Sequence, residues 1–293
     1  MHPYLIDLGR WQLPWLGEIH VALPTYGLLV ASGVILAWIW MQRRAEREGI
    51  DAEASSRAAM WALGGGLLGG KLGLLAVEGS WFLAHPGDLL KADFLQAAGV
   101  IWTAVLGGLA GLLYAARSGR LPLGRLVDAA APAIPMAQAI GRLGCLMAGC
   151  CFGNSCSAPW AVVYASVEAR RRTGVPLGIP LHPAPLYEAL GSLLLVLPVA
   201  LWATARRRRP GEGAAAYLAT YGTLRFGVEF FRGDTIRGLW LSGTLSTSQI
   251  LSALIVPLAA GAWIWLHFRP APQSAAAEAS GIAPAPPGKK AGP

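Results

Sequence analysis

Seven apolar stretches, each close to the length of a bilayer crossing, recur along the chain. They run at about Val21–Met41, Ala58–Val77, Ala97–Ala116, Leu126–Met147, Pro185–Thr204, Ala214–Phe231 and Thr247–Phe268, some unbroken and some with polar interruptions. A helix needs about 20 predominantly apolar residues to cross the hydrocarbon core, and it alone pairs its backbone groups within one segment. The pattern therefore predicts an all-α, polytopic membrane protein of about seven transmembrane helices. The first stretch has no basic segment before it and no small-residue cleavage site after it, and it exceeds a signal core in length, so it reads as a span. Residues 1–23, with Trp11 and Trp15, read as an interfacial segment against the outer leaflet.

Charge gives the orientation. Arg43, Arg44, Arg47, Arg57, Arg117, Arg120, Arg125, Arg206 to Arg209, Arg269, Lys289 and Lys290 fall on one side of the seven spans, fourteen in all. Arg10, Lys91, Arg170, Arg171, Arg172, Arg232 and Arg237 fall on the other, seven in all. Basic connections stay in the cytoplasm, which puts the amino terminus outside and the carboxyl terminus inside. The net charge of +8 then reflects topology and attraction to anionic lipid, not nucleic-acid binding. Only 14% of residues are charged, against about 25% in soluble domains. The membrane unit spans 1–269 with an outer insert at about 151–184, and the Ala-, Pro- and Gly-rich remainder, 270–293, reads as a disordered cytoplasmic tail.

An ionisable side chain inside a span costs at least a few kcal/mol, so each marks a functional site by default. Here they are Lys71, Arg142, Arg225 and Glu229, with Tyr26 and Glu188 near span mouths. The expected topology puts all six in the outer half. Tyr221, Arg225 and Glu229 follow at four-residue intervals with Arg232 seven beyond Arg225, so they share one helical stripe, and Arg142, Cys145 and Gly149 form a comparable face. Gly64 to Gly66, Gly69, Gly70, Gly107, Gly108 and Gly111 let neighbouring backbones approach closely. Two arginines at one depth suit a phosphate, which a guanidinium grips with two parallel hydrogen bonds. In the outer half of a bilayer that phosphate is a lipid head group. The plainer reading is that Arg225–Glu229 and Arg142 with some carboxylate are buried pairs holding the bundle together.

Gly141-Arg142-Leu143-Gly144-Cys145 with Gly149, the run His182 to Glu188 and the run Tyr221 to Arg232 resemble the prolipoprotein diacylglyceryl transferase family, in order and spacing over about residues 1–270. Tyr26-Gly27 and Gly107-Gly108-Leu109-Ala110-Gly111 add to the resemblance. It implies a seven-span bacterial inner-membrane enzyme without cofactor or metal. Such an enzyme moves the diacylglyceryl group of phosphatidylglycerol onto the cysteine thiol of a prolipoprotein signal peptide or another cysteine-bearing client. By resemblance, Arg142 holds the lipid phosphate, Arg225 is a second essential arginine, and Tyr26, Tyr187 and Glu188 line the cavity. Gly144, His182, Tyr221, Glu229 and Arg232 complete the substrate-binding set. Lys71 is either a third cation for the head group or a side chain reaching outward to the interface.

The chain departs from the family where a histidine normally precedes the Gly-Gly-Leu of the third span, since Leu106 stands there. Cys145, Cys150 and Pro185 likewise replace an expected asparagine, glutamate and glutamine. Tyr26, Glu188 and His182 are the candidates for taking the thiol proton instead. The competing reading is a non-catalytic paralogue that binds phosphatidylglycerol or a client peptide. A transporter is disfavoured by the one-sided charges and the lack of a repeated half-unit, and an intramembrane serine protease by the absence of a Gly-x-Ser-Gly run. The four cysteines, Cys145, Cys150, Cys151 and Cys156, fall within twelve residues at a spacing unlike structural zinc sites. Cys156 paired with Cys150 or Cys151 in a disulfide, and unpaired buried thiols, are the two alternatives on the expected outer side.

Overall fold

The computed structural model describes residues 4–13, 17–90, 94, 99–234, 238–240 and 243–269. Most of them are helical. The chain opens with an antiparallel pair, β1 (Tyr4–Leu13) and β2 (Gly17–Pro24), followed by α1 (Thr25–Arg47), α2 (Ala52–Val77), α3 (Gly79–Ala84) and α4 (Ile101–Ser118). Next come α5 (Leu123–Ala130), α6 (Ala133–Ala148), β3 (Val162–Val163), α7 (Val167–Thr173), β4 (Pro180–Leu181), α8 (Ala184–Gly191) and α9 (Leu197–Ala205). The last are α10 (Glu212–Val228), the short pair β5 (Leu239–Trp240) and β6 (Leu245–Ser246), and α11 (Thr247–Phe268).

The strands correct the all-α expectation. Residues expected as an interfacial segment pair in a hairpin, with Arg10 opposite His20 and Trp11 opposite Ile19. Leu5, Ile6, Leu8 and Trp11 stay exposed on it. Its start is pinned to the insert at 151–184: Tyr4 Oη donates to Glu168 Oε1 at 3.3 Å, and the Arg172 guanidinium lies over the Tyr4 ring at 5.1 Å. Trp15, Lys91, Arg237 and the expected tail 270–293 lie outside the described residues.

Among the described residues, five helices are long and apolar enough to cross a membrane: Thr25–Arg47, Ala52–Val77, Ile101–Ser118, Ala184–Ala205 and Thr247–Phe268. The other two expected stretches are helical but less regular. The chain turns at Ala131–Pro132, so the stretch 126–147 is divided between α5 and α6, because proline offers no N–H to continue the ladder. The stretch 214–231 falls in α10, a 17-residue helix that carries Glu212, Tyr217, Tyr221 and Arg225, and in the short 3₁₀ turn Glu229–Phe231 after it. Between α8 and α9 a π-turn, Ser192–Val196, widens the helix just ahead of Pro198.

Glycine decides the packing of α2 on α4. Gly65, Gly69 and Gly73 sit four residues apart and face Gly107, Thr103 and Gly111. A Cβ on Gly65 would overlap the Gly107 carbonyl, and one on Gly107 the Gly65 carbonyl. The two backbones therefore touch, as in close helix pairs in membranes. α6 packs on α1 and α8, and α10 on α9 and α11, which sets α6, α8 and α10 around a common centre. At the basic end, Asp128 is fully buried and accepts from the backbone N–H groups of Gly211 (2.8 Å) and Ala214 (3.0 Å), tying α5 to the first turn of α10.

Candidate functional site

Arg142 occupies the last two turns of α6. Gly144, two residues on, lets α1 come close: the Tyr26 ring edge would lie 3.3 Å from a Cβ there. The helix stops at Gly149, whose φ of +78° is the left-handed cap that glycine adopts without strain. The N–H groups of Gly149 and Cys150 both return to the Cys145 carbonyl, at 3.0 and 3.1 Å. This turn folds Cys151 back until its Sγ is 3.5 Å from Arg142 Nη1.

α8 begins at His182-Pro183-Ala184-Pro185. Pro183 and Pro185 cannot extend a helix backwards, but proline suits a first turn, which fixes where the helix starts and puts Glu188 in its second turn. Glu188 is 2% exposed. Its Oε1 lies 3.0 Å from Arg142 Nε in an ion pair and accepts from Tyr221 Oη at 2.8 Å, so one carboxylate oxygen joins α6, α8 and α10. Glu188 is thus the carboxylate partner that the plainer reading of Arg142 required.

One turn along α10 the stripe continues. Arg225 forms an ion pair with Glu229 and donates from Nη2 to Ser248 Oγ on α11 at 3.0 Å. Arg232 Nη1 lies 3.8 Å from Glu229 Oε2, and its Nε donates to Asp234 Oδ1 at 2.8 Å. Arg225, Glu229, Arg232 and Asp234 are all buried. Burial pulls the Arg232 pKa down, but the paired Asp234 carboxylate outweighs this and holds it above the ordinary value, so Arg232 stays charged.

A third group closes one side. His182 Nδ1 lies 3.0 Å from Tyr187 Oη, which also accepts from Trp160 Nε1 at 2.7 Å. The rings of His182, Tyr187 and Phe231 meet edge-on with centroids 5.2 to 6.0 Å apart. The insert at 151–184 holds this group in place. The Gly153 N–H donates to the His182 carbonyl at 3.1 Å, and the Asn154 N–H to the Phe231 carbonyl at 2.8 Å. A Cβ on Gly153 would run into His182, so only glycine fits.

The sequence-derived residues thus assemble into adjoining groups: Arg142, Glu188 and Tyr221; Arg225, Glu229 and Arg232; His182 and Tyr187; and Tyr26 against Gly144. Lys71 sits on α2, donating to the Phe94 carbonyl and standing 4.7 Å above the Phe94 ring. Leu106 is 66% exposed on α4. Ser248, Asp234 and Trp160 went unread in the sequence. Asp234 follows Arg232 by two residues and could have been inferred as its partner, but Ser248 and Trp160 meet the site only through the fold. All four cysteines are free, which corrects the disulfide alternative: Cys145, Cys150 and Cys151 gather with their sulfurs within 4.8 Å of one another, and Cys156 is not among them.

Half-buried Arg142 and buried Arg225 and Arg232, each paired with a carboxylate, thus gather where apolar helices meet, the arrangement of a polytopic helical protein with charges set among its apolar segments. The chain belongs to the prolipoprotein diacylglyceryl transferase family, whose model matches residues 14–265. It is 29% identical over 242 residues to phosphatidylglycerol–prolipoprotein diacylglyceryl transferase 2 of Clostridium perfringens, covering 82% of this chain and 90% of that protein. Phosphatidylglycerol–prolipoprotein diacylglyceryl transferase of Geobacter sulfurreducens is 33% identical over 260 residues, 85% of this chain and 89% of that one. That of Rhodococcus jostii is 34% identical over 257 residues, 82% and 71% respectively.

Proposed function

We propose that this chain transfers the diacylglyceryl group of phosphatidylglycerol to the cysteine thiol of a prolipoprotein signal peptide. In this reading it works in the bacterial inner membrane, crosses it seven times with its amino terminus outside, and opens its cavity to the outer half. The observation that carries the reading is the Arg142–Glu188–Tyr221 network set beside Arg225.

The reaction forms one S–C bond to the glycerol carbon of the lipid and breaks the C–O bond to its phosphate. Glycerol phosphate leaves with the bonding pair. Negative charge grows on the departing oxygen, so fixed cations beside it lower the barrier in a water-poor site. The Glu188 contact at Nε and the Cys151 contact at Nη1 fix the Arg142 guanidinium, and Nη2 is the nitrogen turned to a phosphate. Tyr221 donates to the same Glu188 oxygen, so the arginine is oriented before substrate arrives. Arg225, steadied by Glu229 and Ser248, supplies the second charge. The attacking sulfur must shed its proton, and a thiol pKa of about 8.5 leaves only a small fraction ionised at neutral pH. Arginines raise that fraction, with Glu188, Tyr26 or His182 as proton acceptor. His182 and Tyr187 line the approach from the outer insert.

The test is incubation of the purified protein with phosphatidylglycerol and a lipobox peptide. A peptide mass gain of one diacylglyceryl unit on cysteine is expected. An unchanged peptide, with lipid or peptide retained, would instead identify a binding relative.

A further inference from the structure

We propose that Cys145, Cys150 and Cys151 form a site for a single thiophilic d10 cation of the Zn2+ or Cd2+ class, bound as a tris-thiolate beside Arg142. Their spacing in the sequence does not announce such a site; the end of α6 creates it. The left-handed cap at Gly149 and the paired N–H bonds to the Cys145 carbonyl reverse the chain within one turn. Cys151 itself takes a φ of +57°, a conformation that a non-glycine residue holds only where its surroundings impose it. The three sulfurs stand within 4.8 Å of one another. With Zn–S bonds of about 2.3 Å, thiolates around one tetrahedral ion stand roughly 3.8 Å apart, so side-chain rotation alone closes the difference.

Tyr164 borders the same turn. It is 2% exposed, and its hydroxyl finds no hydrogen-bond partner among the described residues. Its ring edge would lie 3.3 Å from a Cβ on Gly149, inside the thiol turn. A buried hydroxyl needs a partner. A water in the fourth position on the ion supplies one, as open-site zinc centres carry three protein ligands and a water.

The charge also balances. Three thiols lose three protons on binding a divalent cation, giving a centre of charge −1. Arg142 Nη1 already lies 3.5 Å from Cys151 Sγ and offsets that charge. No electron transfer is involved. A consequence resting on the function proposed above follows: a filled site engages Arg142 and competes with the lipid phosphate, so the cation inhibits transfer.

The experiment is a Cd2+ titration of the purified, reduced full-length protein, following thiolate-to-metal absorption, metal content and proton release. One Cd2+ per chain, a saturable band and three protons released are expected. Cys150→Ser should weaken binding by about a hundredfold or more, since even outer partners of a metal site are worth tenfold to a hundredfold. Cys156→Ser should bind as the parent does. Saturating Zn2+ should slow transfer by the parent but not by Cys150→Ser. The site is overturned by the absence of a saturable band, by unchanged binding in Cys150→Ser, or by equal loss in Cys156→Ser. It is also overturned by thiol counting that finds two of the three joined in a disulfide in protein isolated without reductant. A normal Cd2+ titration in a protein that transfers no lipid would uphold the metal site and overturn the transferase reading alone.

Discussion

Arg142 on α6 forms an ion pair with Glu188 on α8, Nε to Oε1 3.0 Å, and that carboxylate is 2% exposed. Neither charge tolerates loss of the other, because removing one partner of a buried pair leaves an unpaired charge at a cost of about 3–5 kcal/mol. Arg142→Ala should therefore lower thermal stability in detergent, and Arg142→Ala with Glu188→Ala should recover much of it while remaining inactive. Arg142→Lys and Arg225→Lys keep the charge but lose the planar fork, and each should cut transfer on the order of a hundredfold. Wild-type rates in Arg142→Lys would remove it from the phosphate grip.

Leu106 stands where the family places a histidine, and it is exposed on α4. The arginines are expected to do most of the ionising of the thiol. Leu106→His should then change the rate only modestly and add no limb near pH 6.5 to the rate profile. A fast transferase created from an inert parent by this single change would mark the native chain as a lipid or client binder.

The seven-span reading predicts where reagents reach. Cysteines introduced after Arg47 and after Arg209 should label only from the cytoplasm, and one near Thr173 only from outside. Labelling at Thr173 from the cytoplasm would invert the depth assigned to every charge in the site.

Acid should loosen the hairpin. Glu168 accepts from Arg172 Nε at 2.7 Å, and this hydrogen bond, with the arginine's charge, holds its carboxyl below the ordinary range. A pKa lowered by folding adds stability that is complete above the unfolded value and is lost as pH falls through the folded one. The pair is exposed, so the effect on global stability is small. Its readout is local: the distance distribution between spin labels at positions 8 and 171 should broaden in acid. Glu168→Gln should be broad already at neutral pH and insensitive to further acidification.

Gly107→Ala should be costly although it adds one methyl group. The new Cβ meets the Gly65 carbonyl, which no rotamer change can move aside. Overpacking of this kind costs about 1–3 kcal/mol, measurable as a lower midpoint of thermal aggregation.

Residues were legible in the sequence where chemistry conflicts with the solvent. Arg142, Glu188, Arg225 and Glu229 stood out because charges do not enter apolar segments without reason, and the four-residue interval put Tyr221, Arg225 and Glu229 on one face. The turn at Pro132 was also written there, in two prolines three residues apart, but it was hidden by the surrounding hydropathy. The hairpin was missed because the tryptophans that mark an interface say nothing about backbone shape. The contacts of Ser248 with Arg225 and of Trp160 with Tyr187 join segments 23 and 27 residues apart, and local pattern is blind to them.

The seam between α2 and α4 is main chain laid on main chain. Its small residues recur every four positions, about 6 Å along each axis, while Leu67, Leu68, Val105 and Leu106 between them are exposed away from it. At the glycines there is no side chain whose rotation could take up a shift, so a push on one helix is handed directly to the other and the pair travels as one bar.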